Sequence, residues 1–435
     1  MVSYRVVHQL EPITSLIYIS LVHAVAPALE AARATNETAC SHRYLPDDGA
    51  FFSGGAGYES FRRRSYELAE RYDYGASIDI ADFYNQIYSH RVRGSIEAAS
   101  AELTGIAKDL ETVIHAINSQ ASKGIPVGND ASAILAEGIL IDVDQLISRS
   151  GLDHTRYVDD IRIFADSPQH LLSAIETISE YLYDHHRLHL NSSKTKLLDI
   201  ENFVSVVMQD HMDAESEAAM NRLNLIDPYG EEELGENDVP DEEVLEEIGQ
   251  IIRKKYAEDG FVDLNLIKAF VRRCRLLRSC AFVEVAIENI HPFIPAIHEL
   301  CRAIEAAADQ HGPDAVKGLI ATIRSSPHYQ RKAVKMWLDW TCAGHAEFIR
   351  DHSIRDDVFS GNVRTQARAA LVSRDLAWVR AQRGTFIHLP PTQRSAVLMS
   401  MQLLGQDERR VLLGHIDESN GSPVDVAIKR WLIAR

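Results

Sequence analysis

The sequence predicts an α+β fold, and three observations predict it. Upstream of about residue 205, strand-like and helix-like patterns alternate in the order β-α-β-β-α-β, the split βαβ arrangement with an antiparallel sheet. Downstream, almost every segment has helical period and strand signals are scarce. Between two short apolar runs stands Tyr157-Val158-Asp159-Asp160, with adjacent carboxylates at the turn of a hairpin.

The elements follow in chain order. Residues 13–29 read as an amphipathic helix: the stretch holds His23 and Pro27, follows no basic region and is short for a bilayer span, so no membrane contact is expected. Residues 75–80 read as a strand, 82–93 and 131–148 as helices, and 156–165 as the hairpin. A helix over 168–186 has Pro168 in its first turn, and 188–198 is the return strand. Beyond the boundary, helices are predicted over 264–278, 294–310, 315–325, 330–342, 364–376, 392–404 and 424–432. Their short connections carry Pro or Gly, as in a serial helical array without a strict repeat.

At 435 residues and 48.7 kDa the chain exceeds one ordinary core, so two or three domains are expected. Five cysteines with no Cys-x-x-Cys pair argue against a disulfide framework and for a reducing, cytoplasmic location. The net charge of −18 is unevenly placed: from Asp227 to Ile252 there are eleven acidic residues and no Lys or Arg, which leaves −7 elsewhere. A basic run follows, including Arg272, Arg275 and Arg278 at one-face helical spacing. Charge therefore does not exclude a nucleic-acid partner; these arginines either track phosphates or pair with the acidic segment.

An Asp-Asp turn alone suits an ordinary solvated loop as well as a metal site. Three more segments change the balance. Ser77-Ile78-Asp79-Ile80-Ala81-Asp82-Phe83-Tyr84 ends a strand in a carboxylate. Gly124-Ile125-Pro126-Val127-Gly128-Asn129-Asp130-Ala131-Ser132-Ala133-Ile134-Leu135-Ala136-Glu137 is a loop running into a helix, and Leu190-Asn191-Ser192-Ser193-Lys194-Thr195-Lys196 closes the set. Nucleotidyl transfer needs two cations roughly 3.5–4 Å apart, and Mg²⁺ takes hard oxygen ligands, usually one or two carboxylates beside substrate phosphates. Asp79 at a strand end and Asp159 at a hairpin tip can converge from neighbouring strands. Alternation sends Asp82 to the other face, as a helix-start residue.

Taken in order, the four segments resemble motifs A, B, C and D of reverse transcriptases over residues 70–200. The resemblance implies a right-hand polymerase, with fingers over 1–75, a palm over 76–205 and an all-helical, HEAT-like domain over 206–435. It implies Asp79, Asp159 and Asp160 as catalytic carboxylates, with the Ile80 backbone beside them at the metals, and Lys194 as proton donor to pyrophosphate. The cofactor implied is two Mg²⁺ ions, with Mn²⁺ as a substitute. Phe83 and Tyr84 would line the nucleotide, Tyr84 lying under the sugar and selecting deoxynucleotides. Gly128 and Ser132 would lie beside the base pair, and Arg43 and Arg63 would meet phosphates. Val127 and Ala133 stand where the family usually has Gln and Pro. The Leu135-Ala136-Glu137 ending, the Asp79-Ile80-x-x-Phe83-Tyr84 form of motif A and the long all-helical C-terminal half resemble the abortive-infection (Abi) and other bacterial defence-associated reverse transcriptases. That group implies phage defence, a homo-oligomer, dNTP substrates, a DNA product and either a non-coding RNA template or none. It also allows protein priming, for which Tyr44 and Tyr58 are candidate hydroxyls. The rival reading is a non-catalytic, degenerate polymerase fold that binds RNA or a partner protein.

Overall fold

The computed structural model describes residues 6–45, 51, 56–208, 214–223, 242–416 and 421–434. Most of the acidic stretch lies outside them. Packing divides the chain into two units, Ser3–His211 and Met212–Pro228 with Leu234–Arg435.

The first unit opens with α1 (Pro12–Ala32). Glu11 accepts hydrogen bonds from the Ile13 and Thr14 amides, and Pro12 presets the first turn. By length and composition α1 is the one described helix apolar enough to cross a membrane, yet Tyr18, Val22, Val25, Ala26 and Leu29 form a buried face within the unit's core. Next come α2 (Ala56–Ala69), β1 (Tyr74–Asp79), α3 (Phe83–Gln86), α4 (Ser89–Ala99) and α5 (Thr104–Ile117). They are followed by α6 (Asp130–Ile139), α7 (Ile141–Arg149), β2 (Asp153–Tyr157) and β3 (Asp160–Ala165). The unit ends with α8 (Pro168–Tyr181), extended by a π turn to His186, then β4 (Lys196–Asp199) and α9 (Ile200–Phe203).

The four strands make one antiparallel sheet in the order β2-β3-β1-β4. Ala76, Ile78, Ile161 and Ile163 point into the larger core with Leu171 and Ile178 of α8, while Phe164 joins Leu68, Phe203 and Met208 on the opposite face. Gly75 sits under the Phe203 ring, where an added Cβ would lie 2.6 Å from Cγ. Gly75→Ala is therefore expected to overpack this face and cost about 1–3 kcal/mol. Faster amide exchange across β1 is the measurement that checks it.

Three expectations need correction. The helix over 82–93 breaks at Ile87 and Tyr88, because the chain there pairs with the 122–124 loop: Ser89 N–H donates to Ser122 O and Gly124 N–H to Ile87 O. The helix over 131–148 breaks at Leu140, just after Gly138, whose missing side chain lets Leu29 of α1 approach. The return strand is shorter than 188–198: only Lys196–Asp199 joins the ladder, since 191–195 form a turn in which the Lys194 and Thr195 amides donate to Asn191 O.

The described residues of the second unit contain helices and no strand. They begin with α10 (Ala214–Arg222), α11 (Glu242–Asp259), α12 (Leu264–Leu277) and α13 (Ala281–Glu288). Then come α14 (Ile297–His311), α15 (Asp314–Ser325), α16 (Lys332–Cys342), α17 (Ala346–Ile349) and α18 (His352–Ser360). The last are α19 (Val363–Ser373), α20 (Leu376–Ala381), α21 (Pro391–Ser400), α22 (Gln406–Leu413) and α23 (Pro423–Ala434). Packing skips one helix at a time: α11 on α13 and α13 on α15, α12 on α14 and α14 on α16, then α19 on α21 and α21 on α23. That is the two-layer arrangement of a helical array. The predicted arginine face is used internally. Arg272 Nε lies 2.9 Å from Glu299 of α14, Arg278 bonds Gln310, and the neighbouring Arg273 is buried and donates to Leu223 O. Glu299 is held down to about 2 by the His298 and Arg272 side chains against the effect of its burial, and the pairing expected with the preceding acidic segment falls mostly outside the described residues.

Candidate active site

Strand register brings the carboxylates together. Asp79, the last residue of β1, stands directly opposite Asp160, the first of β3, so both side chains leave the same face of the sheet as Ser77 and Arg162. Tyr157 and Asp160 close the β2–β3 hairpin around a two-residue turn, Val158-Asp159. Val158 has φ +55, a left-handed conformation costly for a β-branched residue, of order 1–3 kcal/mol. Burial, then the charges of Asp160 and Asp79, push Asp159 up to about 6 from its ordinary 3.8. Asp160 is raised too, by desolvation and by Asp79. Three like charges thus share one sheet end.

The segment after His189 supplies the counter-charge. Ile80 bridges Leu190, Asn191 N–H donates to Asp79 O, and the Asn191 side chain donates to Asp79 Oδ1 at 3.1 Å. Lys194 Nζ lies 2.7 Å from Asp79 Oδ2, and this bond holds its ammonium above the ordinary lysine range. Asn191 was not singled out in the sequence, although its place three residues before Lys194 is where a turn could aim both at one carboxylate.

Residues 2–214 match the protein family described as "Reverse transcriptase (RNA-dependent DNA polymerase)". This half of the chain is a reverse-transcriptase domain. No curated protein matches the sequence. The chain is similar to telomerase from Candida albicans in complex with a TWJ fragment of telomeric RNA, at 11% identity and TM-score 0.32 over 73% of this chain and 58% of that one. It is also similar to Candida tropicalis telomerase with such a fragment (13%, TM-score 0.33, 74% and 56%) and without it (12%, TM-score 0.34, 74% and 61%). The chain thus spans under two thirds of these structures' length, and a likeness of that size decides neither fold nor activity. The family match, covering all four motifs, makes the domain a nucleotidyltransferase of the reverse-transcriptase class.

Reverse-transcriptase domains use divalent metals such as Mg²⁺. Among the described residues, no three His, Cys, Asp or Glu side chains are grouped closely enough to hold a metal by themselves. The donor set nevertheless fits Mg²⁺, which needs only one or two protein carboxylates when substrate phosphates complete its shell. The ammonium of Lys194 now neutralises Asp79, as a cation there would.

Around the carboxylates of the reverse-transcriptase domain, Phe83 is buried, with the half-buried Tyr84 edge-on to it at 5.9 Å. Tyr84 O accepts from Ile125 N–H, tying it to the loop of Gly124 (φ +93) and Gly128 (φ +86), conformations that glycine adopts freely. The same loop is held from the N-terminal side, where Val127 and His8 exchange two hydrogen bonds. Ser132 does not begin α6: Asn129 caps it, and Ser132 is fully buried with its hydroxyl 2.8 Å from Tyr18, which removes it from direct nucleotide contact. Asp82 stands at the α3 start as expected, but its carboxylate takes the Asn85 and Gln86 side chains rather than a backbone amide.

The arginines and tyrosines separate. Arg43 is committed to Glu30 at 2.5 Å and to Ala34 O and Ala39 O, a structural clamp instead of the expected phosphate contact. Arg63 is exposed on α2. Tyr44 is nearly buried, its hydroxyl 3.1 Å from His23, which is poor access for a priming nucleophile. Tyr58 packs edge-on against Tyr157 at 5.4 Å, next to the carboxylate turn. His186, one of three nearby histidines, bonds Asp142 and so ends its helix structurally.

A test of the site electrostatics follows from Asp159. A carboxyl raised in the folded state contributes stability that is complete below about 3.8 and is lost as pH rises through about 6. The melting temperature of the metal-free protein is expected to fall between about pH 4 and pH 6 through this group, and the fall should be smaller in Asp159→Asn. Equal slopes in scanning calorimetry would contradict the assignment.

Proposed function

We propose that the protein is a DNA polymerase that joins dNTPs, either on an RNA template or without one, in the cytoplasm. One observation carries the reading: Asp79, Asp159 and Asp160 meet at one sheet end beside a protonated lysine. Fingers over 1–75, a palm over 76–205 and a HEAT-like helical domain over 206–435 are the corresponding parts. Asp79 and Asp159 would hold two Mg²⁺ ions, or Mn²⁺, with Asp160 and the Ile80 backbone in support. Such ions neutralise phosphate charge and activate a 3′-hydroxyl when bound. The 3′-hydroxyl gives its proton to solvent and its oxygen bonds to the α-phosphorus of the dNTP while the bond to pyrophosphate breaks. Lys194, released from Asp79, would give its proton to that leaving oxygen.

Tyr84 is the proposed sugar selector, lying beside Phe83 and fixed to the glycine loop. Tyr84→Ala is expected to raise ribonucleotide incorporation relative to deoxynucleotide; an unchanged preference in a folded variant would make Tyr84 a packing residue only. The Leu135-Ala136-Glu137 ending and the motif A form around Asp79, together with a helical second unit, support a place among Abi-like defence enzymes, acting as a homo-oligomer against phage. Sequencing the product formed from all four dNTPs and Mg²⁺, with and without ribonuclease, tests the template. Phage plating on cells carrying wild type or Asp159→Asn tests defence. The Lys194–Asp79 ion pair is the observation favouring a non-catalytic fold, and absence of any product would uphold that rival.

A further inference from the structure

The turn that carries Asp159 is gripped by a buried charge network that lies outside the three catalytic carboxylates, Asp79, Asp159 and Asp160. Glu137, near the end of α6, is fully buried between two arginines: Arg33, which caps the end of α1, at 2.6 Å and Arg156 of β2 at 2.9 Å. Burial would push Glu137 up, but Arg156 and Arg33, with the Ser41 hydroxyl, hold it below the ordinary carboxylate range. Arg156 makes a forked pair with Asp144 at 2.8 and 2.7 Å, and Asp144 also takes His154. Both faces of the Val158 peptide end in this network: Arg156 donates to Val158 O at 2.9 Å, and Val158 N–H donates to Ser41 Oγ at 2.9 Å. Ser41 in turn donates to Glu137. The 38–41 segment completes the frame through an isolated bridge at Ala39, with Arg156 N–H to Thr38 O and Cys40 N–H to Arg156 O.

Four fully buried charged side chains are costly unless each is satisfied. Here their shared output is one strained peptide, the residue immediately before Asp159. We propose that Glu137, Arg156 and Ser41 are positioning residues that hold Val158 left-handed and thereby set where the Asp159 carboxylate stands for cation binding; this rests on the polymerase reading above. Glycine takes that backbone conformation unaided. Loss of the grip should therefore be repaired, at least in part, by removing the Val158 side chain, which a general loss of core packing would not allow.

The test uses the full-length protein in four forms: wild type, Ser41→Ala, Val158→Gly and the double variant. Ser41→Ala deletes a single hydroxyl, so it should disturb the fold far less than a Glu137 variant. Two readouts are taken: Mn²⁺ binding by paramagnetic resonance titration, and dNTP incorporation with kcat and KM resolved. Ser41→Ala should bind Mn²⁺ several-fold more weakly and lose about tenfold in kcat with little change in KM. The double variant should recover most of both. Wild-type Mn²⁺ affinity in Ser41→Ala, or no recovery in the double variant, overturns the proposal, as does a wild-type protein that binds no Mn²⁺. If wild type binds Mn²⁺ but makes no DNA, the polymerase reading fails while the Mn²⁺ series still judges the clamp.

Discussion

Asp79→Asn and Asp159→Asn are each expected to lower nucleotide incorporation by about a thousandfold or more with the fold intact, and Asp159→Asn should melt at or above the wild-type temperature. The first half follows from charge: cation stabilisation of the transferring phosphoryl group supplies several kcal/mol, and about 4 kcal/mol is a factor of about a thousand. The second half follows from the raised Asp159, which repels Asp160 and Asp79 in the metal-free fold. Removing that charge relieves the repulsion. The two outcomes are measured independently, by labelled dNTP incorporation and by calorimetry. Near-normal incorporation by Asp159→Asn would take the turn out of the chemistry altogether.

Glu137→Ala is expected to be the most destabilising single change in the first unit. It leaves Arg33 and Arg156 buried with one fewer counter-charge, and breaking a buried pair costs about 3–5 kcal/mol. At about 2–4 °C per kcal/mol for a unit of this size, melting should drop by roughly 10 °C. All four tryptophans (Trp337, Trp340, Trp378, Trp431) lie beyond residue 211, so indole fluorescence reports on the second unit alone. Hydrogen exchange of the β2 and β3 amides is the appropriate probe, and unchanged protection there would contradict the network's role.

Part of the fold was legible because period is a strong signal: the seven helices predicted for the second unit begin and end within a few residues of where the apolar spacing places them, while the other seven described there, α10, α11, α13, α17, α18, α20 and α22, were not predicted. The split βαβ order and the hairpin were legible from alternation and from the acidic turn. The breaks at Ile87 and Leu140 were not: the first follows from pairing with the distant 122–124 loop, and no local signal in the apolar spacing marks the second. In the site, Asp79, Asp159, Asp160 and Lys194 come together as their order and spacing implied. Ser132 and Arg43 went elsewhere, since a serine in a wholly buried helix and an arginine beside Glu30 have nearer partners than any substrate. Glu137 was visible as part of a family ending but not as a hub. The signal was there: a single carboxylate inside Ala131–Ile139, a run otherwise made of small and apolar residues and one serine, has to be answered by buried cations. Arg156, beside the aspartate turn, was the available answer.

The most direct test of the central claim is anomalous scattering from crystals of the full-length protein grown with Mn²⁺ and a non-hydrolysable dNTP. The account predicts manganese between Asp79 and Asp159, with the Lys194 ammonium moved off Asp79 toward the triphosphate. Manganese bound elsewhere, with the 2.7 Å Lys194–Asp79 pair intact, would contradict it.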